Sequence, residues 1–464
     1  MTKSFGVDDA EPSAALIPQV GRLQRVFERA IARTRSPGGA LALSIGSLRV
    51  EFGTGMAAVR PRQPFTTSTR FPIRSLTKVF ATELVLRLRD RGALALADQW
   101  STYVPDVAGQ LVRSHGPTIQ QLLTHTGGLC DVPRVATSRS MREATSMVNP
   151  FLRRLSGRSL YVCSPGERYS YSTLGFVMLA RLVEAITGQD WSRSLSNVVL
   201  GPLALVHTSG RPEGDSPVAA GHLLAEHGRT HLVSTPVPCA FTPAAGVISC
   251  AADLLTFVER AIISSPARAD ELSMTTATID SGWYPHAEEA MTWVALPWGG
   301  ARFLLHGGGE QLAGLETLIV VEPRASFALV IVVNSSAAYL VIREVLQHAL
   351  REFLGIEAPS LPKAGETDQR VTDFVGVYAN GTREVQIRAV RRGLIAEVRR
   401  VRPGMKTRTL GTSPLWAVQG DTFAAPGSFC VFTRRQPESA VVGLNAMLRY
   451  LPRIDALESG SEAA

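Results

Sequence analysis

The spacing of apolar positions predicts an N-terminal region of mixed helices and strands, with five short strands near its two ends. Helices are predicted over 17–35 and 338–354, where apolar side chains recur at helical spacing. Because the strands enclose a mainly helical middle over about 93–200, the pattern indicates an α+β domain whose terminal segments share one antiparallel sheet. The predicted strands are 40–47, 49–53, 302–305, 315–321 and 327–333.

A second pattern begins after residue 370, where short runs of alternating apolar and polar residues replace the helical spacing. The runs 385–390 and 394–399 are the clearest, and they predict a small all-β barrel or sandwich. The segment before it is rich in proline and polar residues, as linkers are. The expected organisation is a tail at 1–16, an α+β domain at 17–356, a linker at 357–370, a β domain at 371–455 and a tail at 456–464.

Composition and charge indicate a globular protein with a large core, because 45% of the 464 residues are hydrophobic and 19% are charged. The net charge is +8, but no basic block alternates with aromatic residues, so nucleic-acid binding is not expected. No apolar stretch is long enough to span a bilayer, and the N-terminal residues lack the pattern of a secretory signal. A cytoplasmic protein without a membrane partner is therefore expected, and its oligomeric state is left open.

The cysteines predict neither a disulfide framework nor a zinc site, because their number is odd and no Cys-x-x-Cys pair occurs. Their wide spacing fits a reducing compartment. No metal ion or organic cofactor is predicted. The five cysteines are Cys130, Cys163, Cys239, Cys250 and Cys430.

Candidate chemistry begins in the stretch 71–80, which is predicted to turn from a loop into a buried helix. Ser75 and Lys78 are three residues apart, so on a helix the lysine amine can reach the serine hydroxyl. A hydroxyl is a poor nucleophile until a neighbour takes its proton, and a lysine in a dry site can do that. The alternative is a lysine on a helix flank whose amine reaches solvent.

Two observations bear on that motif. Only four of the 48 basic residues are lysines, so a lysine within an apolar stretch is an unusual choice. A second Ser-x-x-Lys match, Ser360 to Lys363, contains a proline that disfavours a helix, and it is expected to belong to the linker. The first match is therefore the preferred candidate.

Two later stretches supply candidate partners for the serine. Tyr171 lies at a predicted loop-to-helix junction, where its hydroxyl could relay a proton; a core tyrosine is the alternative. His306 is expected to end a strand, and the glycines at 307–309 would let a substrate lie against the strand edge. One of their N–H groups could join that of Ser75 in an oxyanion hole, and a simple hairpin turn is the alternative.

Three further polar residues receive structural interpretations. His125, in Leu-Leu-Thr-His-Thr-Gly-Gly-Leu, is predicted to be a buried hydrogen-bonding residue that shapes a helix end, rather than a catalytic group. Arg449 and Arg453 of the β domain could bind a carboxylate, but surface arginines are the simpler interpretation.

The motifs occur in an order that resembles the serine β-lactamase and penicillin-binding-protein superfamily, closest in kind to class C β-lactamases, DD-peptidases and related esterases. The resemblance covers about residues 20–355 and includes supporting stretches at 122–129, 164–172 and 243–253. It implies a β-lactamase-like fold, with an antiparallel sheet, flanking helices and a helical subdomain. The C-terminal β module resembles the lipocalin-like domain that is appended to some members.

The resemblance also implies a role for each motif residue. Ser75 would be the acylated nucleophile, Lys78 its proton acceptor, and Tyr171 the group that shares or relays the proton. His306 would take the place of the lysine of the family's third motif. The oxyanion hole would consist of the N–H groups of Ser75 and Gly309. The implied substrate-binding positions are Thr173, Gly307 and Gly308.

Thr173 departs from the family pattern, which has an asparagine two residues after the tyrosine. Threonine is shorter and offers one hydroxyl, which puts β-lactam hydrolysis in doubt. The predicted function is cleavage of an ester or amide, in a small molecule or peptide, through an acyl-Ser75 intermediate. One alternative is a stand-alone penicillin-binding-protein-type thioesterase that releases or cyclises nonribosomal peptides from a carrier protein. The other is a non-catalytic scaffold or sensor on the same fold.

Overall fold

A computed structural model describes an N-terminal α+β domain and a C-terminal β domain. None of the helices among the described residues is both long and apolar enough to cross a membrane. The described residues are 12–106, 116–131, 160–211, 218–224, 230–233, 237, 241–282, 284, 286–310, 314–358, 371–380, 383–391, 393–400, 408–425, 428–437 and 439–454.

A nine-stranded antiparallel sheet forms the centre of the N-terminal domain, in the order β3-β2-β1-β13-β12-β11-β10-β9-β8. The first and last strands of the domain meet in its middle, where Leu41 pairs with Ile331. This confirms the prediction that the terminal segments share one sheet. Its strands are β1 Gly38–Ile45, β2 Leu48–Ala58, β3 Gln63–Pro64, β8 Ala277–Thr278, β9 Glu288–Ala290, β10 Trp293–Trp298, β11 Ala301–Glu310, β12 Leu315–Glu322 and β13 Phe327–Val333.

Two short strand pairs complete this domain. The pair β4–β7 joins Phe71 to Ser249 just before the predicted nucleophile, and the pair β5–β6 forms a separate hairpin. The strands are β4 Phe71–Pro72, β5 Gly221–Leu224, β6 Thr230–Val233 and β7 Ile248–Ser249.

Helices cover both faces of the large sheet, because its central strands are apolar on both sides. One core places the terminal helices against Leu41 and Leu43, and the other places the remaining helices against Ala40 and Ala42. Short 3-10 or π turns begin or extend several helices. The α-helices are α1 Pro12–Arg33, α2 Thr77–Asp90, α3 Ile119–Leu123, α4 Thr173–Thr187, α5 Trp191–Leu195, α6 Thr242–Ala245, α7 Ala251–Val258, α8 Pro266–Leu272 and α9 Ala338–Ala349.

Several element boundaries differ from the sequence prediction, among them the start of α1 and the end of β11. Helix α1 begins at Pro12, within the segment expected to be a loose tail. Proline suits a first helical position because its φ is already helical and the N–H it lacks would have no partner there. Strand β11 continues through the glycines to Glu310 instead of ending at His306. Pairing with β12 supplies the order that glycine does not favour by itself.

The C-terminal domain is a nearly closed barrel of eight antiparallel strands in sequential order. A bridge between Tyr378 and Arg453 brings its first and last strands together, around a core that includes Phe374 and Phe432. Of the two predicted forms, barrel and sandwich, the barrel is the one observed. Its strands are β14 Gly376–Ala379, β15 Arg383–Val390, β16 Gly393–Arg400, β17 Arg408–Gln419, β18 Thr422–Ala425, β19 Ser428–Arg434, β20 Val441–Ala446 and β21 Arg449–Pro452.

Candidate active site

Ser75 lies in a 3-10 turn, Arg74–Leu76, that leads directly into α2. Arg74 has a left-handed φ of 52°, which is uncommon for a residue with a side chain and stores strain in the turn. The turn is held from both ends: Ile73 N–H donates to the carbonyl of Val247 (3.0 Å), and Thr77 Oγ1 accepts from Val247 N–H (3.1 Å). Ser75 is half-buried at this fixed position, at the start of a helix.

Lys78 is one helical turn after Ser75 and is buried, with 1% of its surface exposed. Its Nζ donates to the carbonyl of Ala244 in α6 (2.9 Å) and lies 4.9 Å from the centre of the Tyr171 ring. No carboxylate among the described residues forms an ion pair with it. An amine with three hydrogen-bonding directions and one fixed partner has capacity left for the hydroxyls of Ser75 and Tyr171.

Tyr171 lies two residues before α4, so that its ring faces the lysine. The Tyr171 ring packs on the His125 ring with their centres 4.2 Å apart. Its hydroxyl is buried and has no hydrogen-bond partner among the described residues. Buried hydroxyls are almost always paired, so an unpaired one beside a buried lysine suggests a partner that arrives with the substrate.

His125 supports this tyrosine from behind. It is 2% exposed, has a left-handed φ of 54°, and its Nδ1 accepts from Ser172 N–H (3.1 Å). Burial, with smaller contributions from Lys78 and His306, holds the pKa of His125 well below its ordinary value. A neutral ring that orients Tyr171 and the start of α4 is consistent with the structural role predicted for His125.

His306 faces the same site from β11 and is 5% exposed. Burial, followed by the charge of Lys78, lowers the pKa of His306 to about 3. Its Nδ1 lies 2.8 Å from the carbonyl oxygen of Gly307. Since a carbonyl can only accept, Nδ1 carries the proton and Nε2 has the lone pair. His306 therefore offers the site a neutral hydrogen-bond acceptor at Nε2.

The glycine run beside His306 forms the edge against which Ser75 lies. A side chain at Gly308 would place its Cβ 2.0 Å from the carbonyl oxygen of Ile73, so only glycine lets the strand approach the serine turn. Strand β10 pairs with β11 only as far as Leu305, so residues 307–309 have a strand partner on one side only within the described chain. That arrangement leaves backbone groups free for an oxyanion or an extended substrate.

The predicted site residues thus come together from three parts of the N-terminal domain. Ser75 and Lys78 come from the start of α2, Tyr171 and Thr173 from the start of α4, and residues 306–309 from β11. Thr173 is the first residue of α4. Among the described residues, no cluster of His, Cys, Asp or Glu could hold a metal ion.

Two residues beside the site, Arg449 and Asp131, were not predicted correctly from the sequence: Arg449 was expected at the surface, and Asp131 was not singled out. Arg449 of the barrel is not a surface arginine: its side chain is 13% exposed and pairs with the carboxylate of Asp131 (2.8 Å). Its guanidinium carbon lies 5.0 Å from the centre of the Tyr171 ring. Arg453 stays within the barrel, where it donates to the carbonyls of Asp373 and Val375. No local sequence signal predicts the contact between Arg449 and Asp131, because the two residues are 318 positions apart in the chain.

Ser75, one helical turn before the buried Lys78, thus lies with Tyr171 and the glycine-rich edge of β11 in one site of the N-terminal domain. The Beta-lactamase family model matches residues 23–349. The chain therefore belongs to the Beta-lactamase family, a superfamily that also contains penicillin-binding proteins.

The curated relatives have low sequence identity to this chain, but the matches extend over most of its length. Protein flp of Staphylococcus aureus (strain MRSA252) is 24% identical over 342 residues, which are 69% of this chain. The chain spans 64% of the length of that relative. Penicillin-binding protein 4 of Amycolatopsis lactamdurans is 24% identical over 378 residues, covering 76% of this chain and 96% of the relative.

Solved structures show the same fold, and one matches both domains. The crystal structure of SurE superposes with a TM-score of 0.76 at 23% identity, covering 94% of this chain and 99% of SurE. A D-stereospecific amidohydrolase from Streptomyces sp. superposes with a TM-score of 0.58 at 23% identity, covering 72% of this chain and 98% of its own.

Proposed function

We propose that this protein is an acyltransferase or hydrolase that cleaves an ester or amide through an acyl-Ser75 intermediate. The observation that carries the proposal is the buried amine of Lys78, one helical turn from Ser75 and 4.9 Å from the centre of the Tyr171 ring, whose buried hydroxyl has no hydrogen-bond partner within the described part of the chain. A nucleophile next to a proton acceptor, with a second proton carrier within reach, is the arrangement that acyl transfer requires.

The first half-reaction transfers the acyl group to the enzyme. Ser75 Oγ attacks the carbonyl carbon while its proton passes to Lys78. The N–H groups of Ser75 and Gly309 would stabilise the oxyanion, and losing one such donor typically costs about 100- to 1000-fold in rate. Tyr171 would donate its own proton to the leaving oxygen, sulfur or nitrogen as the tetrahedral intermediate collapses, and Lys78 would then pass the serine proton on to Tyr171.

The second half-reaction transfers the acyl group from Ser75 to water or to an amine. Because His306 is neutral and buried, it can accept a hydrogen bond from the incoming nucleophile but cannot attract a carboxylate by charge. This distinguishes the proposed site from one that uses a lysine there to bind an acidic substrate. Thr173, in the place of the family's asparagine, likewise removes an amide that would face the substrate.

A peptide with a D-residue at the acyl position is the proposed substrate class. Two of the structurally similar proteins point that way: one SurE structure contains D-Leu, and another match is named as a D-stereospecific amidohydrolase. The carrier-linked variant of this function, release or cyclisation of a peptidyl thioester, is the alternative that the second experiment below tests. A non-catalytic scaffold is disfavoured because the serine, lysine and tyrosine are all present.

The first experiment tests Ser75 directly. Wild-type protein, Ser75→Ala and Ser360→Ala are incubated with a fluorophosphonate probe, and the adduct is located by peptide mass spectrometry. We expect labelling of the wild type and of Ser360→Ala, and none of Ser75→Ala, because Ser360 belongs to the second Ser-x-x-Lys match, which is predicted to lie in the linker. Labelling at any other serine, or none, would refute the proposed site.

The second experiment separates the three outcomes for a substrate. The same proteins are given a peptidyl thioester that ends in a D-residue. A Ser75-dependent product one water lighter than the free acid would identify intramolecular aminolysis, and the free acid alone would identify a hydrolase. Release that does not depend on Ser75 would contradict catalysis at this site.

A further inference from the structure

The barrel reaches the candidate active site through a tight hairpin turn between β20 and β21. Its two turn residues, Met447 and Leu448, have left-handed φ angles of 52° and 64°, as a two-residue turn of this kind requires. Neither is glycine, so the conformation is strained and must be held by its surroundings. The turn is therefore a fixed feature of the molecule and not a loose loop tip.

Main-chain hydrogen bonds tie this turn to the segment that carries Tyr171. The N–H of Tyr171 donates to the carbonyl of Leu448 (2.8 Å), and the N–H of Tyr450 donates to Ser170 Oγ (3.3 Å). A third bond runs from the N–H of Leu448 to Ser281 Oγ (3.1 Å). The backbone position of the candidate catalytic tyrosine thus depends directly on the barrel.

Arg449 follows this turn and brings its guanidinium to the Tyr171 ring. Its guanidinium carbon is 5.0 Å from the ring centre, at about the same distance as the 4.9 Å of Lys78 Nζ. Its Nε and Nη2 atoms donate to Asp131, and Nη1 donates to the carbonyl of Met447 (2.9 Å). All three nitrogens are engaged within the protein, which argues against a role in binding a substrate carboxylate.

Asp131 fixes the arginine in this place. Burial alone would raise the pKa of Asp131, but Arg449, Arg383 and a hydrogen bond with the Thr173 side chain together hold it below its usual value. Asp131 also accepts from the first N–H of α4 (3.3 Å), the helix that Tyr171 precedes. One carboxylate therefore joins the barrel, the arginine and the tyrosine-bearing helix.

We propose that the hairpin of the barrel is an integral part of the active site, and that Arg449, oriented by Asp131, is a positioning residue for Tyr171. Its guanidinium lies against the Tyr171 ring, where its charge would stabilise negative charge that develops at the site during acyl transfer, and the hairpin holds the ring beside Lys78. This inference rests on the proposed function of Tyr171 as a proton carrier. The charged or titratable groups around that ring are Lys78, His125, Tyr169 and Arg449, with Asp131 beyond the arginine.

The test compares Arg449→Gln and Arg449→Lys with an exposed control on the same barrel, Arg388→Gln. Acylation by an activated ester is measured against pH in the full-length proteins, and folding is checked by circular dichroism. For R449Q we expect the acylation rate to fall by about 10-fold or more. We also expect the rising limb of the pH–rate profile to move up by about one unit, because one cation is lost. R449K should keep the pH position but recover only part of the rate, since lysine cannot make the paired contacts.

Two results would overturn the inference. One is an R449Q rate within about twofold of R388Q at an unchanged pH position. The other applies if R449Q does not fold: an R449K variant identical to the wild type in both rate and pH position would then exclude a positioning role. A slower R449K with an unchanged pH position would support it.

A separate measurement keeps this inference distinguishable from the proposed function. The tyrosinate absorbance of Tyr171 is obtained as the difference between the titrations of the wild type and Tyr171→Phe, and the same difference is taken in the R449Q background. If the wild type is not labelled at Ser75, the proposed function fails, but a shift of this signal to higher pH in R449Q would still support the effect of Arg449. An unshifted signal would refute that effect.

Discussion

The two sides of the candidate active site are held in different ways. The serine side is built from backbone contacts inside the N-terminal domain: Ile73 bonds to Val247, Lys78 bonds to the carbonyl of Ala244, and Gly308 lies against the serine turn. The tyrosine side depends on side chains and on a second domain. The N–H of Tyr171 donates a hydrogen bond to a carbonyl of the barrel, and the Tyr171 ring lies beside the buried ion pair of Arg449 and Asp131.

The difference shows which kind of change each side can tolerate. Close backbone contacts on the serine side leave no space for added atoms. Added volume should therefore disrupt this side, whereas a change of charge should have little effect on it. A wall held by a buried ion pair and by stacked rings should respond to the loss of a charge and to pH. Added volume is therefore expected to damage the serine side most, and loss of a charge is expected to damage the tyrosine side most.

The largest effect is expected from adding one methyl group on the serine side. In Gly308→Ala the new Cβ would lie 2.0 Å from the carbonyl oxygen of Ile73, so the strand or the serine turn must move. We expect kcat/KM to fall about 100-fold or more through a displaced oxyanion donor. The free energy of unfolding should fall by about 1–3 kcal/mol through overpacking. Ester kinetics and urea denaturation measure the two effects.

The neighbouring glycine is a matched control for this variant. At Gly307 the nearest atom to a new Cβ is 3.7 Å away, an ordinary contact distance. Gly307→Ala should therefore remain folded with its stability nearly unchanged and should lose much less activity. Equal losses in the two variants would mean that the glycine run is generally intolerant, and that the close approach at 308 is not the cause.

The serine side was also the side that could be predicted from the sequence. The i, i+3 spacing of Ser75 and Lys78 and the continuous apolar runs of the central strands are local signals, and the structure contains both the helix and the shared sheet. The end of β11 was predicted wrongly at His306 because glycine is depleted in strands. Pairing with β12, a tertiary contact, maintains the strand through those glycines.

The tyrosine side could not be predicted to the same depth. Tyr169, Ser170 and Ser172 are near Tyr171 in the sequence, and His125 belongs to the same domain. Arg449, in contrast, reaches the site from another domain. A chain with many scattered arginines gives no local reason to single out one of them. Asp131 likewise looks like an ordinary loop residue, and only the fold places it under the guanidinium.

On the tyrosine side, removing one charge should have a large effect on stability. Asp131→Asn leaves the buried guanidinium of Arg449 without its counterion, and we expect the free energy of unfolding to fall by about 3 kcal/mol. The double variant with Arg449→Gln should be less destabilised than the sum of the two single variants, because no unpaired charge remains. Urea denaturation of the four proteins gives the coupling energy.

An exposed arginine of the same barrel serves as the comparison. Arg388 pairs with Glu397 across neighbouring strands, and the arginine side chain is 56% exposed. Arg388→Gln should cost much less stability than Asp131→Asn, because an exposed partner contributes little. If Asp131→Asn costs no more than this control, the buried pair does not anchor the barrel hairpin as we infer.

The smallest expected effect concerns His306, which lies between the two sides. Its pKa is about 3 in the folded protein, against an ordinary value of 6.5. Below about pH 6.5 the unfolded chain takes up a proton that the folded protein excludes. Stability from this group is therefore complete above that pH and declines as the pH falls towards 3. Between pH 7 and pH 5 the decline should be about 2 kcal/mol.

Replacing the histidine should remove that part of the acid sensitivity. We expect His306→Asn to lose less stability than the wild type between pH 7 and pH 5, by about 2 kcal/mol in urea denaturation at the two pH values. His231→Asn, at an exposed position on β6, should retain the wild-type dependence. If both variants follow the wild type, His306 is not held neutral by its burial beside Lys78. The two sides of the site would then meet at a position that is more open to water than the contacts indicate.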